Sequence, residues 1–121
     1  MRVLSFTSVS IAPEDSSPAP DRIVSGAPKG HVKNGYESRD GNRLVGEWSC
    51  SAGAWRVSYA EWEYCFILEG HVRLTSDNGK VVEATAGGNL VIEPGFEGVW
   101  ENITPVKKLY VIDLAAEAGS F

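Results

Sequence analysis

The 121-residue sequence predicts an all-β fold: antiparallel sheets packed as a sandwich or rolled into a small barrel. Three observations carry this. From Leu44 onward, apolar residues recur with a period of about two rather than the 3.6 of a helix. The alternating stretches are rich in Val, Ile, Trp, Tyr and Phe, the residues that fit a pleated, half-buried surface. Gly and Pro punctuate them at short intervals, at Gly53, Gly70, Gly79, Gly87-Gly88, Pro94-Gly95 and Pro105. Many short strands in a chain of this length bury their inner faces by packing one sheet on another.

In chain order, residues 12–21 hold three of the six prolines and read as an extended arm. Pro lacks an N–H and fixes φ, so this stretch is expected to stay out of any ladder. Residues 25–42, rich in Gly and charge, read as loop, and the compact body is expected to start near Arg43. The expected division is an arm with loops over 1–42, packing on the body or on a second subunit, and one β-domain over 43–121. Strands are predicted at Arg43–Trp48, Trp55–Ala60, Tyr64–Leu68, His71–Ser76, Val81–Ala84, Asn89–Ile92, Val99–Ile103 and Lys107–Leu114. Asp77-Asn78-Gly79 supplies the positive φ of a tight hairpin, so His71–Ser76 should pair with Lys80–Ala84. Only Leu114–Ala118 has helical composition, and it is too short to stand alone.

Composition narrows the function. Hydrophobic residues make up 43% and charged residues 22%, a globular balance. Eleven Lys and Arg against sixteen Asp and Glu give 11 − 16 = −5, with no basic block, which argues against gripping a phosphate backbone. No apolar run approaches the ~18 residues of a membrane span. Met1–Thr7 lacks the apolar core of a secretory signal. Cys50 and Cys65 both lie in apolar stretches and read as reduced, buried thiols. A cytoplasmic protein with neither nucleic-acid nor membrane partners is expected.

Two patches sharpen the fold. In Glu63-Tyr64-Cys65-Phe66-Ile67-Leu68-Glu69-Gly70, a Glu is followed by six residues and a Gly. From Gly87, five residues lead to a Pro-x-Gly-like turn altered to Glu93-Pro94-Gly95, with Glu93 where the Pro is expected, then Gly98, Trp100 and Asn102. The pair resembles the two cupin motifs, over roughly Val45–Ile112. The Gly-x-Trp ending resembles the branch of small single-domain cupins grouped with ureidoglycine aminohydrolase and the ethanolamine-utilisation cupin. The resemblance implies an RmlC-like jelly roll of about eight to ten strands, with a cup between its sheets. One fold hosts many functions, so it implies far less about activity.

Metal-binding cupins place two His ahead of the Glu and one in the second motif. Here the first pair falls on Arg56 and Ser58, or on Val57 and Tyr59 if the loop is one residue shorter; the later ligand falls on Gly98. Only Glu63 keeps a ligating side chain, and one carboxylate is not a transition-metal site. No metal and no cofactor are expected. Both histidines lie elsewhere: His31 precedes the body, and period two puts His71 on the sheet exterior with Arg73.

The residues expected to line or rim the cup are Glu63, Arg56, Ser58, Tyr59, Cys65 and Trp100, with Trp62 beside them. Glu63, Cys65 and Ile67 share one face. A buried Glu63 needs a partner. It is expected to form a structural Glu–Arg or Glu–Tyr hydrogen bond, with Arg56 as the cation, or to serve as a general acid or base. Lys107-Lys108 opens the last strand; with Leu109, Val111 and Ile112 apolar, one reading points one lysine inward near the mouth, and the other, the commoner for lysines, is a solvated face. The reading is a small-molecule-binding cupin with a small polar ligand and no His-rich metal site. The alternative is an enzyme resembling ureidoglycine aminohydrolase or another metal-dependent cupin hydrolase, lyase or isomerase; a third reading is an assembly subunit with a filled cup. Open sheet edges call for cover, so a homodimer is expected.

Overall fold

The structure, a computed structural model, describes residues 1–116. Its described strands are β1 (Glu14–Asp15), β2 (Ile23–Gly26), β3 (Gly30–Glu37), β4 (Arg43–Cys50), β5 (Gly53–Ser58), β6 (Trp62–Glu69), β7 (His71–Ser76), β8 (Val81–Thr85), β9 (Asn89–Ile92), β10 (Glu97–Asn102) and β11 (Val106–Asp113). One sheet runs β1-β3-β4-β11-β6-β9 and the other β2-β5-β10-β7-β8, all neighbours antiparallel. Chain connections swap repeatedly between the sheets, as in a jelly roll.

The eight strands predicted from Arg43 onward are all present. The inner face follows their alternation: Glu63, Cys65 and Ile67 on β6, Val72 and Leu74 on β7, Leu90 and Ile92 on β9, and Val106, Lys108 and Tyr110 on β11 are buried, with more exposed residues between. Each fully buried large apolar side chain contributes about 1.5–3 kcal/mol of transfer free energy, which makes this register hard to slip. His71 and Arg73 lie on the exterior, as period two requires.

The β7–β8 hairpin forms with Thr75 opposite Val81. Its loop differs from a two-residue Asn-Gly turn. Gly79 N–H donates to Ser76 O at 2.8 Å, Ser76 N–H donates to Lys80 O at 2.8 Å, and Gly79 alone has positive φ (91°). This is a three-residue loop whose last residue must be left-handed, and that is why glycine stands there.

The N-terminal region departs from expectation. Residues 30–37 form an eight-residue strand that pairs with β4 from Gly30–Cys50 to Glu37–Leu44, so the hydrogen-bonded body begins before Arg43. The proline-rich arm also joins a ladder: Glu14 and Asp15, between Pro13 and Pro18, pair with Val32 and His31. The arm reading failed because Pro bars only its own position, and the loop reading failed because the half-buried β3 shows only a faint alternation among its Gly and charged residues. With β1 in one sheet and β2 in the other, residues 16–22 cross from sheet to sheet. Ser17 fixes the crossing, its Oγ donating to Asp15 Oδ1 (2.7 Å) and accepting from Gly30 N–H (3.0 Å). Leu114 and Ala115 form a turn, and the rest of the Leu114–Ala118 segment lies beyond the described residues except Glu117's neighbour Ala116.

Candidate functional site

Between the sheets lies an open cup of about 470 Å³. The first sheet contributes Trp48, Glu63, Lys108 and Tyr110 to its wall, the second Trp55, Val57 and Trp100. Tyr59 follows β5 along the same wall, and the sheet-to-sheet crossing adds Ser16 and Pro18. The three tryptophans form one cluster. Trp55 and Trp100 lie nearly parallel (25°, centroids 6.3 Å apart), and Trp48 meets Trp100 edge-on (82°, 5.8 Å). Offset-parallel and edge-to-face arrangements are those the ring quadrupoles favour. Asn102 locks the cluster from behind, accepting from Trp100 Nε1–H (2.8 Å) and donating through Nδ2 to Ser51 O (3.1 Å).

The polar end of the cup is an ion pair that the sequence reading did not assemble. Lys108 Nζ lies 2.9 Å from Glu63 Oε2, and both side chains are almost fully buried, 7% and 5% exposed. Tyr59 donates its hydroxyl to Glu63 Oε1 at 2.7 Å. Lys108 Nζ also lies 4.3 Å from the Trp100 ring centroid and 4.7 Å from that of Trp48. Cation–π attraction helps hold an ammonium there that has left water.

These contacts set protonation. Burial is the largest single influence on Lys108 and lowers its pKa; Glu63 and Cys65 together outweigh it and the net shift is upward, so the group stays an ammonium. Burial raises Tyr59 well above the ordinary phenol value, and Glu63 adds to that. Burial pushes the Cys65 thiol from 9.0 to about 12, against the opposing pull of Lys108. Tyr110 rises to about 12, again through burial first and Glu63 second. At neutral pH the cup therefore presents two phenols and an ammonium, with the protonated Cys65 thiol buried in the core, and none of the raised groups is an activated nucleophile.

Of the six residues predicted to line the site, the structure brings four to the interior: Glu63, Tyr59, Cys65 and Trp100. Arg56, Ser58 and Cys65 are corrections to the expected cup lining; Cys65 is fully buried in the core and is not on the cup wall. Arg56 is exposed and forms a two-oxygen pair with Asp77 at 2.9 Å, and Ser58 lies beside Glu97 on the outer surface. The phase of β5 turns Trp55 and Val57 inward, so the arginine between them must face out. Glu63 thus finds its cation in Lys108, not Arg56, and the expected Glu–Tyr hydrogen bond forms to Tyr59. Of the two readings for Lys107-Lys108, the structure takes the less common one for Lys108, which points inward. A signal was present: Val106, Lys108, Tyr110 and Ile112 share one parity, and three of the four are apolar or aromatic.

The second motif positions Tyr59. Its backbone N–H donates to Phe96 O (2.9 Å), its carbonyl accepts from Gly95 N–H (2.7 Å), and its ring meets Phe96 edge-on. The Pro94-Gly95 turn therefore acts as a clamp on the residue that reaches Glu63.

A transition-metal centre does not fit these residues. The inward ligand positions on and after β5 are Val57 and Tyr59, which leaves a phenol already bonded to Glu63. At Gly98 a Cβ would collide with the Thr75 carbonyl oxygen, so the fourth position admits no side chain on this backbone. Glu63 itself is engaged by an ammonium. Among the described residues no three His, Cys, Asp or Glu side chains converge.

Comparison with known proteins follows the same lines. The family model described as the EutQ-like cupin domain matches residues 37–110. No curated protein matches the chain. Among solved structures, a Pseudomonas syringae protein of unknown function superposes with a TM-score of 0.78 at 21% identity, over 88% of this chain and 46% of that one. A putative ethanolamine utilization protein Q from Salmonella typhimurium gives 0.66 at 18% identity, over 88% and 98%. A predicted oxalate decarboxylase from Thermotoga maritima gives 0.68 at 22%, over 92% and 99%. At such identities the likeness is one of fold. This chain spans about half the length of the Pseudomonas protein.

Proposed function

Because the chain belongs to the EutQ-like cupin family, we propose that it is a metal-independent binder of one small polar molecule, held between the sheets. The observation that carries this reading is the cup itself. It is an open cavity of about 470 Å³ with three indole walls and a buried ion pair at its polar end, within the size range of small-molecule sites. Apolar walls supply burial, and a few fixed polar atoms supply orientation. The absence of an activated nucleophile, together with residues that do not fit a metal centre, favours binding over the metalloenzyme alternative. The open cavity favours it over a side-chain-filled assembly subunit.

A cup-filling variant tests this. Thermal shift is measured for the wild type and Val57→Trp across a panel of small polar metabolites. Ligands that stabilise the wild type are expected to lose their effect when the cup is filled. Hits that survive the substitution, or a panel without hits at millimolar concentration, would contradict the reading.

The expected homodimer and cytoplasmic setting belong to the same proposal. Val81, Val82 and Val91 are exposed on the edge strands β8 and β9, which offers an apolar surface for a second copy. Light scattering at micromolar concentration should give twice the 13.1 kDa chain mass, and a monomer mass would count against it.

A further inference from the structure

The charge state of the cup carries a specificity. The two charged groups buried in it, Glu63 and Lys108, cancel each other at 2.9 Å. The other charged side chain on the wall, Glu37, is exposed at the mouth and solvated. A ligand entering the aromatic section thus meets no net countercharge. Bringing an ion there would strip its hydration without an unpaired partner to replace it. Hydrogen-bond capacity remains. An ammonium has three donors, and Glu63 Oε2 accepts one of those of Lys108. The hydroxyl protons of Tyr59 and Tyr110 are committed to Glu63 and to Asn34 Oδ1 (2.7 Å each), so towards a ligand both phenol oxygens act as acceptors. The walls are flat rings.

We propose that the cup selects uncharged, flat molecules with an amide-like edge: one oxygen that accepts from Lys108 Nζ, and an N–H or O–H that donates to Tyr59 or Tyr110 Oη. Body and edge have separate tasks. The flat body packs against Trp48, Trp55 and Trp100, and the edge reads the ion pair. This inference rests on the reading that the cup binds a small molecule, and it narrows the class of that molecule.

Benzamide, benzoate and benzamidinium are near-isosteric and differ in charge. Each is titrated into the full chain, with the emission of the clustered tryptophans as the signal. For the wild type, benzamide should bind at least about tenfold tighter than either ion, which corresponds to about 1.4 kcal/mol. Preference should then follow the cup's charge. Glu63→Gln leaves the ammonium unpaired and should shift preference to benzoate, read at about pH 6 so that the unpartnered amine keeps its proton. Lys108→Gln leaves the carboxylate unpaired and should shift preference to benzamidinium. If a variant fails to fold, the wild-type ranking still decides. An ion that binds the wild type as tightly as benzamide overturns this inference while leaving a cup that binds ligands. Failure of all three probes to bind overturns both.

Discussion

Two sets of ion pairs, built from similar residues, lie on opposite sides of the same β-sandwich. On the outer face of the second sheet, Arg73 reaches Glu83 (3.2 Å) and Glu101 (3.3 Å) and Arg56 meets Asp77 (2.9 Å), with a hydrogen bond between His71 Nε2 and Glu83 beside them (3.0 Å); every partner is a third or more exposed. On the inner face of the first sheet, one pair, Glu63–Lys108, is almost fully buried. Distances are alike, so geometry does not separate the two sets. Solvent does. Exposed pairs are screened and typically contribute less than about 1 kcal/mol. The buried pair exchanges two large hydration energies for one contact, a hydrogen bond from Tyr59 and two aromatic faces. Its net stabilisation is modest, yet breaking one side of it is costly. Such a pair is better suited to fixing a cup's charge than to holding a fold together.

The largest expected effect comes from breaking that asymmetry. Lys108→Met leaves Glu63 as an uncompensated buried carboxylate and should cost about 3–5 kcal/mol in denaturant unfolding. Next is alkaline pH. Lys108, Tyr59, Tyr110, Cys65 and Cys50 all have folded pKa values raised above their unfolded ones, with Cys50 reaching about 11 and Cys65 about 12. A raised folded value means that the unfolded chain releases its proton first. Stability is thus fully present below the unfolded values and falls as pH rises through the folded ones. The unfolding midpoint should fall steadily between about pH 9 and 12, and a flat profile there would contradict the described burial. Trp100→Phe removes the hydrogen bond to Asn102 and part of the aromatic packing; about 1–3 kcal/mol is expected by thermal unfolding, with a weaker cup. The smallest effect belongs to the outer face. Arg56→Ala should change stability by less than about 1 kcal/mol and leave ligand binding unchanged, in contrast to its expected place in the cup.

Most of the fold was legible in the sequence because burial imposes a period of two on strands with one wet face. That legibility ended where the strands are only partly buried. In β3, Val32 and Tyr36 are half-buried among His31, Lys33, Asn34 and Gly35, so its alternation is faint and a Gly-rich, charged stretch resembles loop. The site was legible where residue type and position agreed, as for Glu63 and Trp100. It was misread where a charged residue's usual preference was placed above its parity. Arg56 lies out of phase with Trp55 and Val57, and Lys108 lies in phase with Val106 and Tyr110. Parity decided both. The Lys108–Glu63 contact also depends on a register the linear chain does not display: on β6 Lys108 stands opposite Ile67 and Glu63 opposite Ile112, so the two long side chains meet along one face rather than directly across the ladder.

Lys108 is the counter-charge of Glu63. A double-mutant cycle of Glu63→Gln and Lys108→Met, read as unfolding free energies, tests it most directly. Strong coupling is expected, with the double variant more stable than the two single losses imply by at least about 2 kcal/mol. Losses that add to within about 0.5 kcal/mol would show that the two side chains do not answer each other, and would contradict it.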